Sequence, residues 1–391
     1  MKKNFVICLL FILVVIFSST NPVFSQNNLK MKFTNSAVCA GIEVGAKGVK
    51  ISVLEIGKNA QSRGAFNILK DSSVNTDFIS FNASSFSATL KALVGLYQSA
   101  MRDYKIPATS IYTVVSSGVK IQADKEMKAE WISNLVDSFR TLVEEPFRQV
   151  AIIDVMQEAR LSHLGIVPES RRYNTFLIDI GSGNTKGGFF PYGNTKDFKL
   201  FQLSWGTKST ANTTDKQCGD DKALPNYEKQ LTRVLSTAEN TEIIYAVNQS
   251  GSYPVSDNIA FSGGIAWSVA TLMFPELIDN SVITVSFDDV KKFNERIAND
   301  YASLSDVSIL ASIRNNSLDK DAIGREVKRV NQVFDQKSLM AGTGLLLKIM
   351  RQFSSVFESK QFYLVKNGQV GWISAYVDQS TGNNQAVTSN K

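Results

Sequence analysis

Apolar and polar positions alternate in two short, similar blocks, and stretches of helical period fill the chain between and after them. Val49, Ile51 and Val53 alternate with Lys50 and Ser52, so the segment from Ala37 reads as strand, tight turn and strand. Leu90, Leu93, Leu96 and Tyr97 recur at helical spacing and predict a helix over 84–105. A short buried strand follows at 111–115, ended by Ser116, Ser117, Gly118, Val119 and Lys120; then come a helix over 125–142 and a strand at 150–153. Asp154 and Gln157 have the spacing of a helix cap and its reciprocal partner, which puts Glu158 in the first turn of a helix. After a link at 168–173 the strand-turn-strand unit returns at 176–186. A strand at 258–261 leads through Ser262, Gly263 and Gly264 into a helix over 266–273. Helices are predicted at 288–298, 322–334 and 337–357, then a hairpin over 361–377 and a disordered polar tail from Gln379.

Strand-rich and helix-rich segments thus alternate twice, which predicts an α/β protein of two domains, 37–167 and 172–378, facing each other across a cleft. The two returning units align residue by residue. In 176–186 (FLIDIGSGNTK) and 40–50 (AGIEVGAKGVK), Asp179 matches Glu43, Gly181 matches Gly45 and Lys186 matches Lys50. Small residues at such a turn let backbone amides converge on an anion, so phosphate oxygens fit there. A carboxylate at the end of the preceding strand can bind a magnesium ion or its waters, which makes Asp179 and Glu43 candidate metal-side groups. An ordinary hairpin turn also favours Gly and Asn; the in-register repetition weighs against that reading.

Composition narrows the classes. Lys2 and Lys3, the apolar run 5–17 and small residues before Gln26 read as an export signal cleaved after Ser25, which predicts a periplasmic or secreted protein with no membrane anchor after cleavage. Removing Lys2 and Lys3 takes the formal charge from +6 to +4, compatible with an anionic ligand but with no dense basic stripe for nucleic acid. Cys39 and Cys218 remain; one disulfide between them is open, but Cys39 at a buried strand edge reads as a core residue. His163 is the only histidine, so a Cys/His metal site is excluded by supply, and its place five residues after Glu158 reads as structural.

In order along the chain, the first loop at 40–54, the Ser-rich segment 115–120, Glu158-Ala159-Arg160-Leu161, the second loop at 177–185, Gly263-Gly264 and the segments 339–347 and 365–370 resemble the Ppx/GppA phosphatases. These are exopolyphosphatases and guanosine pentaphosphate phosphohydrolases in the fold group of actin, sugar kinases and heat-shock chaperone ATPases. The resemblance implies two actin-like (ribonuclease H-like) domains without the extra C-terminal helical domain of longer members. It implies hydrolysis of a phosphoanhydride in inorganic polyphosphate or a phosphorylated nucleotide, with magnesium. Glu158 would be the general base toward water and Asp179 would help place the metal. Phosphate would lie on Gly45, Ala46, Lys47, Gly48, Ser117, Lys120, Gly181, Ser182, Gly183, Asn184, Thr185, Lys186, Gly263 and Gly264. Lys50 and Lys208 would extend the basic lining, and a homodimer is compatible with the pattern.

Two departures stand out. The family's first loop, Asp-x-Gly-Ser-Asn-Ser, has Glu43 and Ala46-Lys47-Gly48 here. Its second, Asp-x-Gly-Gly-Gly-Ser-Thr-Glu, has Ser182, Asn184 and, in place of the last acid, Lys186. An ammonium there can touch phosphate directly and implies reduced metal dependence, or a receptor that binds phosphorylated ligands without turnover. A kinase or ATPase of the same fold group is a weaker alternative.

Overall fold

The computed structural model describes residues 29–63, 65–253, 255–354, 360–366, 368 and 371–388; the export signal expected over 1–25 lies outside them. Strands β1 (Ala37–Val44), β2 (Gly48–Ile56), β3 (Phe66–Asn75), β4 (Ile111–Val115) and β5 (Val150–Ile152) form one sheet in the order β3-β2-β1-β4-β5. β1 runs antiparallel to β2 and parallel to β4, which is parallel to β5. The second sheet contains β6 (Thr175–Ile180), β7 (Thr185–Phe189), β8 (Lys199–Leu203), β9 (Asn258–Ser262), β10 (Val282–Val285) and β11 (Gln361–Val365), in the order β10-β11-β9-β6-β7-β8. Taken from β8, this repeats the first sheet strand for strand, with β10 added antiparallel at one edge. The duplication seen in the two turns therefore extends to whole sheets, and the fold is α/β with two actin-like halves.

The central strands β1, β2 and β4 are buried on both faces because helices cover both, whereas the edge strand β3 is half-buried to exposed. On one face Ile42, Val44 and Ile51 pack with Leu93, Tyr97 and Phe139 from α1 (Ala83–Arg102) and α3 (Ala129–Leu142). Between these helices lies α2 (Ser117–Lys125). On the other face Cys39, Leu54 and Val114 meet Leu161 and Leu164 of α4 (Val155–Ile166) and Trp372 and Ile373 of a C-terminal helix, Gly371–Thr388. That helix crosses α4 so closely that a Cβ on Gly165 would lie 1.9 Å from the Gly371 carbonyl oxygen, a contact only glycine permits. The second half surrounds its sheet with α5 (Thr207–Gln217), α6 (Leu224–Ala238), α7 (Gly264–Met273), α8 (Phe287–Asn299), α9 (Lys320–Val333) and α10 (Gln336–Ser354); the C-terminal helix is α11. Among the described residues no helix is long and apolar enough to cross a membrane.

Several expectations need correction. The helix expected over 125–142 is present as α3 but starts at Ala129, because Met127, with φ 56°, cannot continue a helix; α2 over Ser117–Lys125 precedes it and was not expected. The hairpin expected over 361–377 is strand β11 followed by α11, and α11 continues to Thr388 through the segment expected to be disordered. The reading of Cys39 as a core residue holds, since Cys39 and Cys218 are both buried and free.

The N-terminal segment is held by one carboxylate. Fully buried Glu55 accepts hydrogen bonds from the Lys32 amide (2.7 Å), the Phe33 amide (2.7 Å), Ser36 Oγ (2.8 Å) and Asn67 Nδ2 (2.9 Å). Burial works against its charge, but these four donors outweigh it and hold the pKa down at about 2, against an ordinary value of 4.5. Because the folded value is the lower one, this contribution is complete above about pH 4.5 and is lost as the pH falls from there toward about 2. Glu55→Gln is expected to lower stability by about 1–3 kcal/mol near neutral pH. Urea unfolding measures it, and the difference between variant and wild type should shrink in acid.

Candidate functional site

Both glycine turns are built alike. Gly45 N–H donates to Gly48 O at 2.8 Å, and Gly181 N–H donates to Asn184 O at 3.0 Å. The cross-strand register pairs Glu43 with Lys50 in one hairpin and Asp179 with Lys186 in the other, so each turn carries an acid and a lysine on one face. Among the described residues no hydrogen bond takes the amides of Ala46, Lys47, Ser182 or Gly183, which leaves them for a ligand. The second turn is anchored by α5, whose first amides donate to it: Thr207 to Gly181 O (2.9 Å), and Lys208 (2.7 Å) and Ser209 (3.1 Å) to Ser182 O.

Glu158 joins the two halves. Asp154 caps α4 by accepting from the Gln157 amide at 2.7 Å, which sets Glu158 in the first turn as the spacing predicted. Its Oε1 lies 3.1 Å from Lys186 Nζ, and its Oε2 accepts from the Ser117 amide at 2.8 Å. Lys186 Nζ also lies 3.3 Å from Asp179 Oδ2, so one ammonium is held between a carboxylate of each half, with all three side chains largely buried. Burial alone would lower the lysine's pKa; Glu158 and Asp179 overcome that and raise it above the ordinary value, so the charge is permanent. The remaining acid, half-buried Glu43, is pushed up to about 7 by burial, with Lys50 opposing the rise and Glu158 adding to it. Gly263 closes the site from below: with φ 92° it brings the start of α7 against β6, where a Cβ would sit 2.6 Å from Asp179 Oδ1.

From the turns a cleft of about 760 Å³ opens between the halves, lined by Lys47, Asp77, Asn82, Lys208, Phe334 and Lys337 among others. Lys47 has its pKa lowered by partial burial and by Lys208 and Lys50, a local excess of positive charge that an anion would relieve. Lys208 and Asp77 pair across the cleft at 3.9 Å, and Arg329 and Asp71 also link the two halves, at 3.0 Å.

The structure therefore brings together Glu43, Gly45, Ala46, Lys47, Ser117, Glu158, Asp179, Gly181, Ser182, Gly183, Asn184 and Lys186. Four expected phosphate ligands have other work. Lys120 is half-exposed and paired with Asp124 on its own helix at 2.5 Å. Thr185 is buried and donates to the Trp205 carbonyl at 2.7 Å. Gly48 packs against β3, where a Cβ would meet Val74 O at 2.0 Å, and Gly264 faces the Phe334 ring. His163 is a core residue: Nε2 contacts Thr175 O at 3.0 Å, its ring packs on Phe190, and burial drives its pKa to about 4. The cleft residues Asp77, Asn82 and Lys337 went unread because nothing in sequence distinguishes them from surface polar residues.

A resident magnesium ion does not suit this donor set. Among the described residues no three acids, histidines or cysteines converge at metal-holding distance, and the position between Glu158 and Asp179 holds the Lys186 ammonium. A dication there would face a permanent like charge within contact range.

No protein-family sequence model matches the chain, and comparison with curated proteins by sequence gives no match. Solved structures do match. The Ppx/GppA family member of Aquifex aeolicus superposes with a TM-score of 0.60 at 17% identity, over 89% of this chain and 99% of the other. A type II variant crystal structure of the Aquifex aeolicus Ppx/GppA phosphatase gives 0.58 at 16%, over 88% and 99%. An exopolyphosphatase from Cytophaga hutchinsonii gives 0.51 at 13%, over 88% and 98%. Along nearly its whole length the protein has the fold of the Ppx/GppA structures.

Proposed function

We propose that the chain is a Ppx/GppA-type phosphohydrolase that cleaves a phosphoanhydride bond of an anionic substrate held between the two turns. The observation that carries this reading is the meeting of Glu158 with Lys186 and Asp179 between two turns whose amides are free. Phosphoryl transfer needs little from a protein beyond positioning and neutralisation of charge. Amides at 46, 47, 182 and 183 would hold phosphate oxygens, and Lys186 and Lys47 would balance their charge. Water would attack the terminal phosphorus as Glu158 takes its proton, and the P–O bond to the bridging oxygen would break, its electron pair leaving with the shortened chain. The fold likeness to exopolyphosphatases and the sequence reading of an exported chain together favour inorganic polyphosphate over a nucleotide signal.

The test is phosphate release from polyphosphate by the purified chain, alongside guanosine pentaphosphate and ATP. Release from polyphosphate above the no-enzyme rate is expected, and its absence for all three substrates would overturn the reading. One observation favours a second reading, a receptor that binds without turnover: both oxygens of Glu158 are already engaged. Saturable polyphosphate binding with no release would select it.

A further inference from the structure

We infer that Lys186 is the site's built-in cation, and that its ammonium does the charge-balancing that a divalent metal would otherwise do, so that phosphate ligands bind without metal. The geometry is that of a captured ion: Nζ lies 3.1 Å from Glu158 and 3.3 Å from Asp179, one acid from each half of the molecule, with all three side chains largely buried. It also lies beside the second turn, 4.0 Å from where a Cβ on Gly181 would stand, so an anion seated on the Ser182 and Gly183 amides would be next to it. A lysine differs from a metal in two ways that matter here. It cannot be removed by a chelator, and with only three N–H groups, two of them aimed at carboxylates, it offers the ligand a single remaining donor. Among the described residues Lys50, opposite Glu43 in the first hairpin, has no equivalent acid of the other half within ion-pair distance, so the two hairpins are not interchangeable in this role.

The experiment has two arms on the full chain, and the first involves no phosphate. Manganese binding is followed by electron paramagnetic resonance in wild type, Lys186→Ala and Lys186→Arg, with circular dichroism to verify folding. Wild type and the arginine variant should bind no manganese at this site, whereas the alanine variant, with two facing acids and no ammonium, should bind one ion. Stoichiometric manganese on wild type that is lost in Asp179→Asn overturns the inference, as does equal behaviour of wild type and a folded Lys186→Ala. Should the alanine variant fail to fold, wild type against Lys186→Arg and Asp179→Asn still decides the matter. The second arm rests on the proposed function and titrates tripolyphosphate by calorimetry. Wild-type affinity should be unchanged by EDTA, and Lys186→Ala should weaken binding about tenfold or more. Loss of wild-type binding in EDTA overturns the inference. Absence of any tripolyphosphate binding overturns the phosphate reading and leaves the manganese arm to judge the lysine.

Discussion

Glu158→Gln is expected to cut phosphate release from polyphosphate by about 10²–10⁴-fold, the usual worth of a positioned general base. The glutamate on α4 is reached from two other elements, by the Ser117 amide at the start of α2 and by Lys186 on β7. Glutamine preserves size but carries one acceptor oxygen and an amide that can only donate. One of its two partners, the Ser117 N–H or the Lys186 ammonium, would therefore face a donor. A folding penalty of about 1–3 kcal/mol should accompany the loss of turnover. The two effects separate by measuring release well below the melting temperature of the variant. Glu158→Asp, which keeps the charge but withdraws it by one methylene, should fold better and still lose most of the rate, because reach as well as basicity matters. Release retained within a few-fold by a folded Glu158→Gln would remove this residue from the chemistry.

Gly263→Ala should destabilise the molecule by about 2–6 kcal/mol. Its backbone, at φ 92° and ψ −179°, lies where side-chain-bearing residues are strained. The added Cβ would meet the Ile180 carbonyl oxygen, a backbone atom, at 2.4 Å and Asp179 Oδ1, on a carboxylate held by Lys186, at 2.6 Å. Relief requires β6 and α7 to separate or Asp179 to swing off Lys186, so stability and ligand binding should fall together. Gly264→Ala is the control: its Cβ would approach only the outer edge of the Phe334 ring at 3.1 Å, and a ring can shift by a few tenths of an ångström. Urea unfolding of both variants checks the contrast, and equal midpoints for Gly263→Ala and wild type would refute it.

The strands at the cleft were legible because they follow simple rules. Burial on one or both faces leaves a visible pattern in 49–53 and 111–115, and the turn glycines repeat in register at 45 and 181. α5 was not legible: Thr207–Gln217 is a polar, threonine-rich run whose buried positions are Thr207, Thr210, Ala211 and Thr214, with no apolar period to read. α11 misled in the opposite way. Ile373, Ala375 and Val377 alternate like a strand, but the helix is buried on nearly every side near its start, so Trp372 and Ser374 are covered as well and the helical period vanishes. Within the site, the acids at 43, 158 and 179 could be named from sequence. The capture of Lys186 between two of them could not, since it depends on Glu158 arriving from the other half. Lys120 was over-read for a local reason: an acid four residues along its own helix, Asp124, was the nearer partner.

The crossing of α11 over α4 has a consequence for how the molecule is made. The first half of the chain carries Glu158, yet one face of its sheet is covered by α4 together with α11, which is made only after the whole second half. Until that helix arrives, the cluster of Leu161, Leu164, Cys39, Leu54 and Val114 lacks the cover of Trp372, Ile373 and Val377, and the early half must wait, partly assembled, while the whole second half is synthesised. Shortening the protein from its far end would then disarm an acid more than two hundred positions away, and the two halves should not regain activity as separately produced pieces unless the closing helix is supplied with the first.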